Sequence, residues 1–113
     1  MITIYHNPRC SKSRQTLEII RSKGIEPEII LYLEETMDKT TLTQLLEKLA
    51  IGAEQLLRKS EQEFKDNFRG QELSEIQLIE AMVKYPKLIE RPIVVADDRA
   101  VLGRPPENVL EII

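Results

Sequence analysis

Cys10, the one cysteine of the chain, lies where a polar turn ends and a helix is predicted to begin. The run His6–Arg14, HNPRCSKSR, places three cations within four residues of the sulfur. A helix N-terminus carries partial positive charge and unpaired backbone N–H groups, and both favour a thiolate over a thiol. A buried, inert thiol is the commoner state of a lone cysteine. The position and the cations nevertheless indicate a reactive nucleophile.

Three neighbours of Cys10 could support a thiolate. Arg14 follows by four residues, so one helical turn would bring its charge to the same face. Ser13 follows by three residues, and its hydroxyl either donates a hydrogen bond to the sulfur or is an ordinary helix-start serine. His6, the only histidine, is expected to order the turn through a hydrogen bond rather than to act as a base. One cysteine and one histidine offer no ligand cluster, so no metal site is expected.

The elements around this turn are predicted from the hydrophobic pattern. Residues 2–5 are predicted to form a strand, and a helix follows over about 11–23 with Gly24 just past its end. Residues 27–32 are apolar and partly β-branched, which is typical of a second strand. Strand, helix and strand within about 30 residues form a βαβ unit, the building block of parallel sheets.

The middle of the chain, over about 39–84, is predicted to be a helical block. Its first helix has a possible capping box that joins Thr41 to Gln44. The leucines that follow have helical spacing, at Leu42, Leu45, Leu46 and Leu49. A short helix is expected over 53–59, followed by a solvated helix or mobile loop over 60–71.

The last helix of this block should begin at a capping box that joins Ser74 to Gln77. It should stop before Pro86, because proline cannot continue a helix. Its buried face is expected to consist of four apolar residues, Ile76, Ile79, Met82 and Val83.

The C-terminal segment returns to strand character. Residues 92–96 are predicted to form a strand, the pair Asp97-Asp98 a turn, and residues 100–102 an antiparallel partner strand. Two prolines at 105 and 106 indicate the start of a final helix, with Val109, Leu110 and Ile113 as its apolar residues. The order is therefore β-α-β, a helical block, and β-β-α.

Composition limits the class of protein. A chain of 113 residues is expected to form one domain over 1–113. No apolar run approaches the roughly 18 residues of a membrane span, and no leader is recognised, so no membrane partner is expected. The net charge of −3 argues against nucleic-acid binding. A lone cysteine suits a reducing cytoplasm.

The element order is the thioredoxin-like arrangement: a small mixed four-stranded sheet flanked by helices, with a helical insertion after the second strand. Four separated motifs add detail: Ile4-Tyr5-His6-Asn7-Pro8-Arg9-Cys10, Leu57-Arg58-Lys59, Arg91-Pro92-Ile93-Val94-Val95 and Gly103-Arg104-Pro105. In this order they resemble the glutaredoxin-coupled arsenate reductase (ArsC) family. The Cys10-Ser11-Lys12-Ser13 stretch and the short length resemble a shorter ArsC-like subgroup that is related to Spx.

The resemblance implies a function. Cys10 would be the nucleophile, Arg58, Arg91 and Arg104 would hold arsenate, and the Arg91–Pro92 peptide bond would be cis and face the site. Glutathione would be a co-substrate with glutaredoxin as partner, and no cofactor would be bound. Independently, the lack of a second cysteine means that the electrons must come from outside thiols.

Other functions stay open at this point. The site could act on another oxyanion or on a glutathione adduct, or the chain could be a monothiol glutaredoxin-like protein that shares an iron–sulfur cluster. It could also be a regulator that binds RNA polymerase, like Spx. The Spx switch usually needs a second cysteine at the position that Ser13 occupies here.

Overall fold

The structure, a computed structural model, describes all residues 1–113. Its internal contacts divide the chain into two compact units. The sheet unit combines Met1–Glu35 with Arg91–Ile113, and the helical unit is Thr36–Glu90. The expected single domain over 1–113 stays a prediction. No helix of either unit is both long and apolar enough to cross a lipid bilayer.

The sheet unit contains one mixed sheet of four strands, as the sequence predicts. The strands are β1 (Ile2–Tyr5), β2 (Glu28–Ile30), β3 (Ile93–Ala96) and β4 (Arg99–Leu102), in the order β2-β1-β3-β4. β1 pairs in parallel with β2 and antiparallel with β3, and β3 pairs antiparallel with β4. β2 is shorter than the expected segment 27–32. The parallel pair confirms the predicted βαβ unit.

Helix α1 (Ser11–Ser22) packs on this sheet and supplies much of its core. Thr16, Leu17 and Ile20 of this helix are buried. The core cluster of the unit consists of Ile4, Leu17, Ile20, Val94 and Val109. Because Ile4 lies on β1 and two cluster members lie on α1, this packing fixes both ends of the turn that carries Cys10.

The chain ends in a 3₁₀ helix, Pro106–Glu111, that begins at the predicted prolines. Val109 is buried, whereas Leu110 is 48% exposed. The two residues are adjacent, and adjacent side chains of a helix point in different directions. Only one of them can therefore face α1 and the sheet.

The helical unit contains four α-helices and a short 3₁₀ turn. The α-helices are α2 (Lys39–Leu49), α3 (Ala53–Leu56), α4 (Gln62–Asn67) and α5 (Glu75–Lys84), and the 3₁₀ turn is Pro86–Leu88. α3 is shorter than the expected 53–59. α4 lies within residues 60–71, for which a solvated helix or mobile loop is expected. Phe64 in α4 and Phe68 just after it are half-buried, with ring centroids 6.0 Å apart.

Two predictions for this unit are wrong in detail. The capping box between Thr41 and Gln44 does not form, because Asp38 caps α2 and accepts a 2.8 Å hydrogen bond from the Thr41 N–H. Ile76 is 61% exposed, and Leu78 is buried instead. Residues two apart lie about 200° apart around a helix, so one face cannot bury both. The capping box of Ser74 and Gln77 and the end before Pro86 are confirmed.

Candidate active site

The turn between β1 and α1 is held by its own backbone. The Cys10 N–H donates to the Asn7 carbonyl at 3.0 Å, and the Cys10 carbonyl accepts from the Arg14 N–H at 3.0 Å. The Arg9 N–H donates to Asn7 Oδ1 at 3.0 Å. Cys10 is the N-cap residue of α1, with φ −94° and ψ 123°. Its side chain makes no capping hydrogen bond, but its sulfur lies at the helix N-terminus, where the helix dipole favours negative charge.

Arg104 contacts the cysteine sulfur directly. Its Nη1 lies 3.8 Å from Cys10 Sγ and donates to the Arg91 carbonyl at 3.2 Å. Cys10 is 8% exposed, so this N–H···S contact is partly shielded from water. The guanidinium thus places a positive charge beside the sulfur. The structure therefore brings together Cys10 and one of the three predicted arginines.

The approach of Arg104 depends on the glycine before it. The Gly103 N–H donates to the Pro92 carbonyl at 3.0 Å. A Cβ at position 103 would collide with the Thr16 side chain and would lie 2.8 Å from Pro92 Cγ. Only a residue without a side chain allows the end of β4 to pass this close to α1. Sequence reasoning missed the roles of Gly103 and Thr16, and the Gly-Arg-Pro run was their only signal.

Two peptide bonds of this region are cis. The Arg91–Pro92 bond is cis, as the family resemblance implies. The Arg104–Pro105 bond is also cis, which the sequence did not predict. Nε and Nη1 of Arg91 are buried from solvent.

His6 and Ser13 form a buried pair beneath the turn. His6 Nδ1 lies 2.6 Å from Ser13 Oγ, and the Asn7 N–H donates to the same oxygen at 3.0 Å. Burial lowers the pKa of His6, and the charges of Arg21 and Arg14 lower it further. The imidazole is therefore neutral at neutral pH, and the Ser13 hydroxyl can donate to Nδ1. Ser13 thus bonds to His6 and Asn7, and the pair orders the turn, which agrees with the expected role of His6.

The remaining predicted residues have other contacts. Arg14 Nη1 donates to the Pro8 carbonyl at 2.8 Å and so clamps the turn from its exposed side. Arg58 belongs to the helical unit. Its Nη1 lies 3.1 Å from a Glu61 carboxylate oxygen and its Nε lies 3.4 Å from one of Glu90.

The arrangement in the sheet unit suits nucleophilic chemistry on an anion. A sulfur at a helix N-terminus, an arginine on that sulfur and a turn fixed by hydrogen bonds are the parts of an activated thiolate site. Arginine also holds two oxygens of a tetrahedral anion at once.

Comparisons relate this chain to known proteins. Residues 5–112 match the model of the ArsC family. The uncharacterized protein YfgD of Escherichia coli strain K12 is 54% identical, with 99% of this chain and 96% of that protein covered. An arsenate reductase of Haemophilus influenzae is 44% identical, with 99% and 98% covered. The structure of an arsenate reductase from Vibrio cholerae superposes with a TM-score of 0.94 at 45% identity, covering 99% of this chain and 97% of the other.

Proposed function

The chain belongs to the ArsC family, and on that premise we propose that it is an arsenate reductase whose nucleophile is Cys10. The observation that carries the proposal is the contact between Arg104 Nη1 and Cys10 Sγ. This contact places the proposed nucleophile beside a guanidinium within the sheet unit. The names of relatives that are 44% and 45% identical over nearly the whole chain support arsenate as the substrate.

Arginines are proposed to hold the oxyanion. Arg104 can bind an arsenate oxygen while its charge offsets the repulsion between an anionic thiolate and an anionic substrate. Arg91 is proposed as a second ligand, and the buried state of its Nε and Nη1 would strengthen an ion pair there. The family resemblance adds Arg58 as a third.

The proposed chemistry starts with attack on arsenic. Cys10 Sγ forms a bond to As(V), and one arsenate oxygen leaves as water, which yields a thiol–arsenate adduct. A thiol from solution then attacks the Cys10 sulfur. The S–S bond forms, the S–As bond breaks, and its electron pair stays on arsenic, which leaves as arsenite. A second thiol reduces the mixed disulfide and frees Cys10.

Both thiols must come from other molecules, because the chain has one cysteine. We propose glutathione as co-substrate and glutaredoxin as the partner that reduces the mixed disulfide. Such thiols are kept reduced in the cytoplasm, which is therefore the proposed location. The turn network of His6, Ser13 and Arg14 would hold Cys10 in the position of attack throughout this cycle.

The test is arsenate-dependent NADPH oxidation in an assay coupled through glutathione, glutaredoxin and glutathione reductase. We expect turnover by the native protein and none by Cys10→Ser, because the hydroxyl is a poor nucleophile at neutral pH. Turnover that survives Cys10→Ser would exclude Cys10 as the nucleophile. If the native protein shows no turnover while Cys10 still reacts rapidly with iodoacetamide, arsenate is not the substrate and the site serves another oxyanion.

A further inference from the structure

A concave surface of about 630 Å³ lies along α1 in the sheet unit, and we call it the α1 groove. The residues that line it include His6, Pro8, Arg14, Leu17, Glu18 and Arg21. Four of them recur at positions 14, 17, 18 and 21, which form one face of a helix. The other two belong to the turn that leads to Cys10. The groove therefore continues from the helix face to the segment that carries the nucleophile.

A buried polar group opens into the α1 groove. His6 is 6% exposed and lines the groove, while its Nδ1 is held by Ser13 Oγ. Nε2 makes no hydrogen bond within the protein, so it is the ring nitrogen left to meet a ligand. A neutral imidazole that accepts at Nδ1 carries its proton on Nε2. With the Ser13 hydroxyl as donor to Nδ1, His6 would offer an N–H donor to a ligand in the groove.

The charges that line the groove alternate in sign. Arg14 uses Nη1 to bond the Pro8 carbonyl, and its other N–H groups have no acceptor in the protein. Glu18 lies one helical turn further on. Arg21 is bonded to Glu26 by two hydrogen bonds of 3.0 and 3.2 Å. Arg14, which can bind a carboxylate, therefore lies next to Glu18, which can bind an ammonium group. Apolar Pro8 and Leu17 lie beside them.

These features match a small ligand that carries an ammonium and a carboxylate on a short apolar stem. We infer that the α1 groove binds the peptide thiol that donates electrons to the Cys10 adduct, with the γ-glutamyl thiol glutathione as the representative of this class. Arg14 would hold the carboxylate, Glu18 the ammonium, and His6 Nε2 a peptide or carboxylate oxygen. This inference rests on the proposed function. The ligand would then lie next to the turn that carries Cys10, and from there the sulfur of the ligand would attack the Cys10 sulfur.

The binding test uses a ligand that cannot react. S-methylglutathione, which has no thiol, is titrated into isotope-labelled Cys10→Ser protein and followed by NMR. We expect saturable amide shifts concentrated on the turn at His6–Pro8 and on Arg14–Arg21. The absence of saturable shifts, or saturable shifts centred elsewhere, would overturn the inference.

A matched pair of ligands tests the charge recognition. N-acetyl-S-methylglutathione lacks the ammonium, so it should bind about two- to fivefold more weakly, the range of a solvent-exposed ion pair. Glu18→Gln should remove this preference, whereas Glu111→Gln, an exposed carboxylate of the same unit outside the groove, should retain it. A preference that persists in Glu18→Gln would exclude Glu18 as the ammonium site.

Turnover separates this inference from the proposed function. Glu18→Gln should raise KM for glutathione about two- to fivefold and leave KM for arsenate unchanged. A rise in KM for arsenate alone would contradict the groove assignment. S-methylglutathione shifts in the groove of a protein that does not reduce arsenate would overturn the arsenate proposal and leave the thiol site intact. Arsenate turnover without saturable shifts in the groove would overturn the groove assignment and leave the arsenate proposal intact.

Discussion

Two arginines that the sequence assigns to one site have different surroundings in the two units. In the sheet unit, Arg104 points Nη1 at the Cys10 sulfur and the Arg91 carbonyl. In the helical unit, Arg58 lies between the carboxylates of Glu61 and Glu90, with a side chain that is 20% exposed. The charge of Arg58 is compensated by carboxylates of its own unit, whereas that of Arg104 is directed at the Cys10 sulfur. The same residue type therefore pairs with carboxylates in one unit and contacts the cysteine sulfur in the other.

Of the changes that test this comparison, removal of Arg104 should have the largest effect on the reactivity of Cys10. Arg104→Ala deletes the charged hydrogen bond to Cys10 Sγ, which is worth about 1.5–3 kcal/mol. The rate of Cys10 alkylation by iodoacetamide at neutral pH should fall about ten- to 100-fold, and arsenate turnover should fall at least as much. Rate constants from mass spectrometry and the coupled assay measure both effects.

Arg104→Lys is the matched control for charge without the planar fork. It should retain most of the alkylation rate, since an ammonium can still lie near the sulfur, but it should bind a tetrahedral anion less well. Alkylation that is unchanged in Arg104→Ala would show that the contact with Sγ does not activate Cys10.

Glycine substitutions compare the packing of the two units. Gly103→Ala should destabilise the protein by about 1–3 kcal/mol, because the new Cβ meets Thr16 and Pro92. It should also slow Cys10 alkylation, because Arg104 is the next residue. Gly52→Ala is the control in the helical unit, where the nearest atom to a Cβ is Glu75 Oε1 at 3.8 Å. The free energies of unfolding are measured by chemical denaturation. Equal values for Gly103→Ala and Gly52→Ala would contradict the close approach at Gly103.

The distance along the chain between contacting residues decides what could be predicted from the sequence. Periodicity located α1, β1, β3 and β4 because their buried residues repeat at regular spacing. The contact of Arg104 with Cys10 joins residues 94 positions apart. No local pattern encodes it, and only the family resemblance placed both residues in one site.

Small errors arose where two local signals competed. Asp38 and Thr41 could each have capped α2. Asp is the more favourable N-cap residue, and α2 begins after Asp38, whose carboxylate accepts from the Thr41 N–H. Ile76 is apolar, yet it lies on the side of α5 opposite Leu78. Such choices depend on the packing of the whole unit, which a window of sequence does not contain.

The carboxylate pairs of Arg58 predict a modest structural effect. Arg58→Gln should lower the free energy of unfolding by about 1 kcal/mol, between the values of exposed and buried ion pairs. Lys59→Gln is the control: its 2.7 Å pair with Glu54 is shorter, but both side chains are more than half exposed. We expect almost no change there in urea denaturation. An effect of Lys59→Gln as large as that of Arg58→Gln would show that burial does not decide the strength of these pairs. If Arg58 also holds arsenate, Arg58→Gln should raise KM for arsenate and Lys59→Gln should not.

Acid should affect the sheet unit before the helical unit. Burial holds the pKa of His6 below its ordinary value of about 6.5, so the unfolded chain takes up a proton before the folded one does. The free energy of unfolding is therefore highest above pH 6.5 and falls as the pH drops from there toward the lowered pKa. The helical unit holds the pKa of Asp38 and Glu54 below their ordinary values, so its losses begin only at lower pH.

His6→Asn should abolish the upper part of this acid loss, because the chain has no other histidine. The variant will be less stable at neutral pH, since it loses the bond to Ser13, so the slope against pH is the informative quantity. Denaturant unfolding measured between about pH 7 and 5 gives that slope. Parallel slopes for the two proteins would mean that folded His6 accepts a proton as readily as unfolded His6. The buried neutral pair with Ser13 would then not be what orders the Cys10 turn.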